Sequence, residues 1–167
     1  MQPPTVVEYT LTQELALAHL TLEVRVRGAG RAASGEARVT VPAGRQDHYD
    51  RLFRCRAWET APARATCVVS FADGAPDWLG LFADLESLDV ARAPAHPPRS
   101  GVQPDGMRWT TECLDGTPWS IARRDAGGAV VRDEWACGRS SPERLAYEGR
   151  VDSILGRIWQ AARAAPR

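Results

Sequence analysis

The sequence predicts an α+β fold in which an antiparallel β-sheet of about seven or eight strands carries two amphipathic helices on one face. Two segments, 5–72 and 107–136, are dominated by strand-like alternation, and two others, 76–89 and 142–164, have helical apolar spacing. Each β block is thus followed by a helix. A chain of 167 residues is long enough to bury one core, so we expect a single domain over 1–167.

Alternating apolar and polar residues predict the strands of the first β block. Residues 7–11, 20–27 and 37–41 place apolar side chains at every second position, which is typical of strands buried on one face. The small residues of 28–35 indicate a hairpin connection between the last two.

Two further strands, 53–57 and 67–71, flank a turn at Pro62 and bring two cysteines into register. In this register Cys55 lies directly opposite Cys67. Opposed Cβ atoms are about 4.5–5.5 Å apart, which is close enough for a disulfide after slight adjustment.

The other two cysteines, Cys113 and Cys137, would lie about 10 Å apart in a simple meander, which is too far for a bond. Cys137 follows the end of its strand, however, and can fold back past Pro118 to reach Cys113. We expect both disulfides, with free buried thiols as the alternative, and the absence of C-x₂₋₄-C spacing indicates no zinc site. Two disulfides would indicate an oxidising compartment.

Helical spacing marks two segments. In 76–89, Pro76 suits the first helical position and Asp77 lies by the positive end of the helix dipole. In 142–164, Ser141 is the expected N-cap. The apolar stripes are Trp78, Leu81, Phe82, Leu85 and Leu88 in the first helix, and Tyr147, Val151, Ile154, Leu155, Ile158 and Ala162 in the second.

Between the helices, the proline-rich stretch 91–105 predicts a long loop, either an exposed crossover or a functional excursion. Segments 107–114 and 117–124 then flank an Asp-Gly pair at 115–116, which favours a two-residue hairpin turn. A third strand is predicted over 129–136.

Charge and hydropathy exclude several classes of partner. The 21 basic and 21 acidic residues balance, and nucleic acids or anionic membranes would require a net positive field. All the basic residues are Arg, a bias typical of GC-rich bacterial genomes. No apolar run approaches the roughly 20 residues that span a bilayer. If Met1 is the native start, the missing leader predicts a cytoplasmic protein; if Met1 replaces a removed signal peptide, the protein is periplasmic or secreted.

One constellation has residue types suited to catalysis. In Asp47-His48-Tyr49-Asp50, flanking carboxylates can orient an imidazole as a base, although the tetrapeptide is equally typical of a polar turn. The sequence contains no nucleophile elbow, P-loop, zinc-binding helix or dinucleotide fingerprint. We therefore expect no metal and no cofactor, and favour a protein without catalytic activity.

Aromatic and arginine residues suggest a binding surface instead. Trp109, Trp119 and Trp135 fall one on each predicted strand of the second β block, where they either fill the core or are exposed. Trp and Arg are the residue types enriched at interface hot spots. The arginines that would share this surface are Arg108, Arg123, Arg124 and Arg132.

The run Asp105-Gly106-Met107-Arg108-Trp109, followed by two more strands and an amphipathic helix, resembles small bacterial proteins with a D-G-x-x-W strand motif. The resemblance covers the C-terminal third of the chain. It implies the α+β fold and brings no catalytic residue.

Together these features predict a non-catalytic bacterial binding protein, of the immunity or inhibitor type, that occupies the surface of another protein. The first alternative is a small hydrolase or transferase that uses His48 with Asp47 or Asp50. The second is a disulfide-stabilised envelope accessory protein or structural domain.

Overall fold

The computed structural model describes residues 5–15, 19–113 and 117–163, and every structural statement below refers to them. Seven strands form one antiparallel sheet: β1 (Val7–Leu15), β2 (Leu20–Ala29), β3 (Ala32–Pro42), β4 (Cys55–Thr60), β5 (Arg64–Val69), β8 (Trp119–Arg124) and β9 (Val130–Glu134). A separate two-stranded sheet contains β6 (Ser100–Val102) and β7 (Arg108–Thr110). The helices are α1 (Gln46–Tyr49), α2 (Trp78–Leu88) and α3 (Pro142–Ala162), with a 3-10 turn at Val90–Arg92. The predicted α+β class and antiparallel sheet are confirmed.

The strands of the large sheet are ordered β4-β5-β3-β2-β1-β8-β9. The predicted hairpin between 107–114 and 117–124 is wrong, because β7 pairs with β6 while β8 pairs with β1. Ile121 of β8 lies opposite Leu11 of β1, so the apolar face of β8 extends the core beside β1. The Asp-Gly turn predicted at 115–116 lies outside the described residues.

The predicted hairpin connection between β2 and β3 is confirmed, but its loop is shorter than 28–35, since both strands continue to a turn at Gly30 and Arg31. Gly28 and Gly35 are strand residues. A Cβ at Gly28 would collide with the ring of Phe82, and one at Gly35 with the ring of Trp78. Glycine here makes room for aromatic rings from α2, which is one of the reasons glycine occurs inside strands.

The β4–β5 hairpin contains the first disulfide. Cys55 and Cys67 are bonded, with their Cα atoms 5.6 Å apart. The predicted register is wrong in detail: Cys55 lies opposite Val69 and Cys67 opposite Trp58, with a register shift between Cys55 and Trp58. Because of this register shift the two cysteines are diagonal neighbours across the strand pair. The predicted disulfide between them is confirmed.

Helix α2 begins two residues later than expected. Pro76 precedes the helix, and Asp77 is its N-cap, with a side chain that accepts a hydrogen bond from the Gly80 amide at 3.0 Å. An aspartate at this position satisfies an amide that has no partner within the helix. At the other end, Asp89 takes a left-handed conformation with φ of 51° and closes the helix.

Helix α3 begins as predicted, because Ser141 accepts a hydrogen bond from the Arg144 amide and Pro142 occupies the first turn. Its last helical residue is Ala162, and the predicted end at residue 164 lies outside the described residues. All six residues of the predicted apolar stripe are buried, as are four of the five in α2.

Both long helices pack on the same face of the large sheet, as predicted. The opposite face is polar and exposed, and ion pairs such as Arg27 with Glu8 and Arg38 with Glu36 lie on it. An antiparallel sheet with one face toward helices and one toward water explains the clean alternation in the sequence. None of the described helices is long and apolar enough to cross a membrane.

The proline-rich segment 91–105 is more ordered than a simple loop. It begins within the 3-10 turn at Val90–Arg92 and contains strand β6. Strand β6 pairs with β7 in the register Ser100 to Thr110. The segment therefore forms one leg of a hairpin that lies outside the large sheet.

Candidate functional site

The hairpin formed by β6 and β7 contributes no buried side chain to the core. An added hydrogen bond from the Thr111 amide to the Arg99 carbonyl, at 2.8 Å, extends its ladder by one pair. We refer to residues 99–111 as the 99–111 hairpin. Isolated two-stranded hairpins are marginally stable in water, so contacts at its base must hold it.

The D-G-x-x-W residues have structural roles in this hairpin. The Asp105 side chain accepts a hydrogen bond from the Met107 amide at 2.9 Å, and the Gly106 amide donates to the Gln103 carbonyl at 2.8 Å. Gly106 has a φ of 84°, a conformation that side-chain-bearing residues rarely adopt. The Asp-Gly pair therefore closes the turn.

Trp109 is the inward-facing residue of β7. It lies opposite Gly101, and a Cβ on that glycine would come within 2.8 Å of the indole, so the ring packs directly on the β6 backbone. The half-buried indole borders a depression of about 490 Å³ at the hairpin base. Its other lining residues are Pro97, Pro98, Gln103, Thr111 and Arg139.

The tip of the hairpin presents apolar side chains to solvent. Val102 and Met107 are each 64% exposed, the largest fractions among the exposed large hydrophobic residues described. Arg108, next to Met107 and opposite Val102, is exposed as well. Met and Arg are among the residue types enriched in protein interfaces.

A disulfide ties the β7 leg to the body of the protein. Cys113 is bonded to Cys137, and their Cα atoms are 6.0 Å apart, so the second predicted disulfide is confirmed. The residue after Cys137 is Gly138, whose backbone lies against Pro97 of the other leg. Both legs of the hairpin therefore meet the segment between β9 and α3.

A buried arginine on α3 ties down the other leg. Arg144 is fully buried, and its guanidinium donates to the Pro94 carbonyl at 3.0 Å. It also donates to Asp133 at 2.9 Å, to Glu148 at 2.8 Å and to the Glu134 carbonyl. A guanidinium presents several donors in one plane, so a single residue joins α3, β9 and the proline-rich segment.

His96 adds a second contact from the same leg. Its Nε2 lies 2.7 Å from Oδ1 of Asp133, while Oδ2 of the same carboxylate accepts from Arg144. The Asp133 side chain is nearly buried and the His96 ring is partly exposed. Asp133 thus bonds to both Arg144 and His96, and it holds the chain at His96, three residues before the 99–111 hairpin begins.

Aromatic rings enclose the buried cation. The Arg144 guanidinium lies 5.2 Å from the Tyr147 ring centroid and 5.9 Å from that of Trp119, a favourable placement of a cation near π faces. Burial, together with the nearby charge of Asp133, raises the pKa of the Tyr147 hydroxyl well above its ordinary value. The tyrosine therefore stays neutral beside the ion pairs.

The structure separates the tryptophans that the sequence grouped. Trp119 is 3% exposed and lies beneath the helices, so it cannot belong to a surface. Trp135 follows the end of β9 and packs, partly buried, against the core. Of the three, Trp109 alone belongs to the 99–111 hairpin.

The arginines are separated as well. Arg124 and Arg132 are exposed, and they lie on the outer face of β8 and β9. Arg123 faces the helices and donates to the Tyr9 hydroxyl at 3.1 Å and to Glu86 at 3.3 Å. These three arginines therefore do not form one surface with the three tryptophans.

The structure does not assemble the His48 constellation. His48 is exposed on α1, and its ring meets the Tyr49 ring edge-on at 5.0 Å. The Asp50 carboxylate instead accepts from the Trp58 indole, and no described carboxylate bonds to His48. Among the described residues, no group of three His, Cys, Asp or Glu is arranged to hold a metal ion.

The sequence analysis singled out neither Arg144 nor His96. One signal was available: Asp133 is an acidic residue on the inward face of a strand, opposite Ile121, where an apolar side chain is expected. An acid at such a position requires a buried cation as partner. The i, i+4 spacing of Arg144 and Glu148 on α3 is a second signal.

No protein-family model matches the chain, and neither the curated proteins nor the solved structures contain a match. The D-G-x-x-W resemblance therefore rests on its own residues alone.

Proposed function

We propose that this chain is a non-catalytic binding protein, of the immunity or inhibitor type, that contacts a partner protein through the 99–111 hairpin. One observation carries the proposal: a hairpin outside the core is fixed at both legs while its tip exposes Val102 and Met107. Contacts that hold a binding element in one conformation reduce the entropy lost on association. The bracing at the base supports this use of the hairpin.

The side chains of the hairpin suit contact with a protein surface. Met107 and Arg108 are of residue types enriched in interfaces, and Val102 adds exposed apolar area beside them. Trp109 packs on Gly101 and supports the strand that carries them. Exposed single hydrophobic residues are common on protein surfaces, but a pair on a braced projection is a feature of binding loops.

Two disulfides support a location in an oxidising compartment, such as the periplasm or the extracellular space. The partner would then be exported as well. The enzyme hypothesis has no support from the His48 environment, and the envelope accessory hypothesis differs from our proposal in having no dedicated partner surface.

Site-specific photo-cross-linking tests the proposal. A benzophenone amino acid replaces Met107 in one variant and Leu79 in another, since Leu79 is an exposed apolar residue on α2. Each variant is irradiated with the purified products of the neighbouring genes, because immunity proteins are commonly encoded beside their toxins. We expect one partner to cross-link from position 107 and not from position 79. Equal labelling from both positions, or none from 107 with every candidate, would contradict the proposal.

A further inference from the structure

A second concave region lies away from the hairpin, around the C-terminal half of α3. It has a volume of about 1020 Å³, at the upper end of the roughly 300–1,000 Å³ typical of small-molecule sites. Helix α1, the facing ends of β1 and β2, and α3 form its walls. We call it the α1/α3 groove.

Apolar side chains form much of the α1/α3 groove. Leu15 and Leu20 come from the sheet, Phe53 from the segment before β4, and Leu155 and Trp159 from α3. The Trp159 ring contacts that of Phe53, with centroids 5.6 Å apart. These residues offer a surface for the hydrocarbon or aromatic body of a ligand.

A buried amide in this groove has an unused donor. Gln13 is 6% exposed, and its Oε1 accepts a hydrogen bond from the Trp159 indole. An indole N–H only donates, so the oxygen must face it and the Gln13 NH₂ group remains. No hydrogen bond from that NH₂ group to a described residue is present. Because Gln13 lines the groove and its NH₂ group is not among the buried unpaired atoms, this donor is open to an acceptor oxygen on a molecule bound there.

The mouth of the α1/α3 groove is rich in cations. Arg51 and Arg163 both line it, and neither forms an ion pair with a described residue. His48 lies beside them, and Asp152 is the one acid among the described lining residues. Guanidinium groups without protein partners favour an anionic group such as a carboxylate, whose two oxygens match the guanidinium fork.

We propose that the α1/α3 groove binds a small amphipathic carboxylate, with its apolar body on the Phe53–Trp159 wall and its acidic group toward Arg51, Arg163 and the Gln13 amide. This assigns the exposed His48 to the rim of a binding site. The groove and the 99–111 hairpin lie toward opposite ends of α3, so the two proposals stand independently of each other.

Calorimetric titration of the full chain with sodium decanoate, below its aggregation concentration at neutral pH, tests the assignment. We expect saturable binding of one molecule per chain. Decanol, which has the same chain without the charge, should bind at least about tenfold more weakly, because its hydroxyl cannot form charge-assisted hydrogen bonds with both guanidinium groups. Acetate, which lacks the apolar body, should not bind measurably.

Variants locate the site. Arg51→Ala/Arg163→Ala should weaken decanoate binding about tenfold or more. The control Arg31→Ala/Arg124→Ala removes the same charge from exposed positions outside the groove and should leave the affinity unchanged. Gln13→Leu/Trp159→Phe removes the free donor without leaving an indole N–H unpaired and should also weaken binding. If that variant fails to fold, the arginine pair alone decides.

Three results would overturn the proposal. The first is the absence of saturation with decanoate. The second is equal affinity for decanol and decanoate, which would show that charge plays no part. The third is equal weakening by the control pair, which would place the effect in the overall charge of the protein.

Discussion

Arg144 is the residue that connects the candidate binding element to the core. Its side chain is fully buried between the carboxylates of Asp133 and Glu148, and it also holds the Pro94 carbonyl. Removing one member of a buried ion pair leaves the other charge without compensation in a medium of low dielectric. We therefore expect this position to tolerate no substitution.

Arg144→Met should lower the free energy of unfolding by about 3–5 kcal/mol, because two buried carboxylates lose their cation. Arg144→Lys should also destabilise the protein, since one ammonium group cannot reproduce the planar set of donors. Urea denaturation measures both. Arg150→Ala, an exposed arginine on the same helix that bonds to Ser87, is the control and should cost less than about 1 kcal/mol. A lysine variant as stable as the native protein would contradict this account of the network.

Asp152 provides a prediction about pH. Asp152 is exposed, but desolvation by its neighbours raises the pKa of its carboxyl, the nearby charge of Glu148 adds to the rise, and the Trp119 indole opposes it. A raised pKa in the folded state means that the stabilising contribution is complete below the pKa of an unfolded Asp, about 3.9, and is lost as the pH rises through the folded value.

Asp152→Asn removes this titration. We expect the variant to have a higher Tm than the native protein at pH 7, where the native carboxylate is charged. The difference should vanish near pH 3, where both side chains are neutral. Thermal unfolding followed by circular dichroism at the two pH values measures it. The same difference at both values, or a lower Tm for the variant at pH 7, would show that the carboxylate is not penalised.

At the scale of elements, the sequence predicts those strands and helices whose apolar residues recur with a clear period. It does not predict which strands pair with each other. The apolar faces of β2, α2 and α3 are buried as the periodicity indicated. The pairing of β8 with β1 is a contact between distant segments, and no local turn signal encodes it. Gly28 and Gly35 misled the interpretation because their role depends on rings contributed by α2.

The 99–111 hairpin could be predicted only in part. The prolines of 91–105 and the strand after them were identified, while Asp105-Gly106 was recognised only as part of the D-G-x-x-W motif and not as the turn between two strands. That these segments pair with each other depends on the anchoring of both legs by Cys137 and Arg144, which are distant in sequence. Local propensity carries no information about such anchors.

Removing the second disulfide should loosen this element selectively. In Cys113→Ala/Cys137→Ala we expect amide exchange in 99–111 to accelerate more than exchange in β1 and β2, whose amides open only on global unfolding and therefore report the loss of overall stability alone. The free energy of unfolding should fall by about 2–4 kcal/mol, the usual effect of losing a disulfide. Hydrogen exchange with mass spectrometry measures the protection of each segment.

Cys55→Ala/Cys67→Ala is the matched control. It removes the disulfide of the β4–β5 hairpin and should leave exchange in 99–111 unchanged. Uniform acceleration across the sheet in the Cys113 and Cys137 variant would instead mean that this disulfide supports the whole fold and not the hairpin.

At the scale of the whole molecule, the large sheet and its two helices form a support, and the hairpin lies outside that support. The helices cover one face of the sheet, and the other face carries ion pairs and is exposed to solvent. Among the described residues no group of three His, Cys, Asp or Glu is placed to hold a metal ion, and the Asp50 carboxylate bonds to Trp58 and not to His48. The tip of the 99–111 hairpin, with exposed Val102 and Met107, is the feature that a purely structural domain would not need.

The most direct test is to measure how tightly the partner identified by cross-linking binds variants of the tip of the 99–111 hairpin. Val102→Asp/Met107→Asp places charges where the apolar contact is proposed and should weaken binding at least about 30-fold, the effect of losing a hot spot of about 2 kcal/mol. Leu79→Asp, on the exposed side of α2, should bind within about threefold of the native protein. Native affinity in the tip variant, or an equal loss in the Leu79 variant, would contradict the assignment of the hairpin as the binding element.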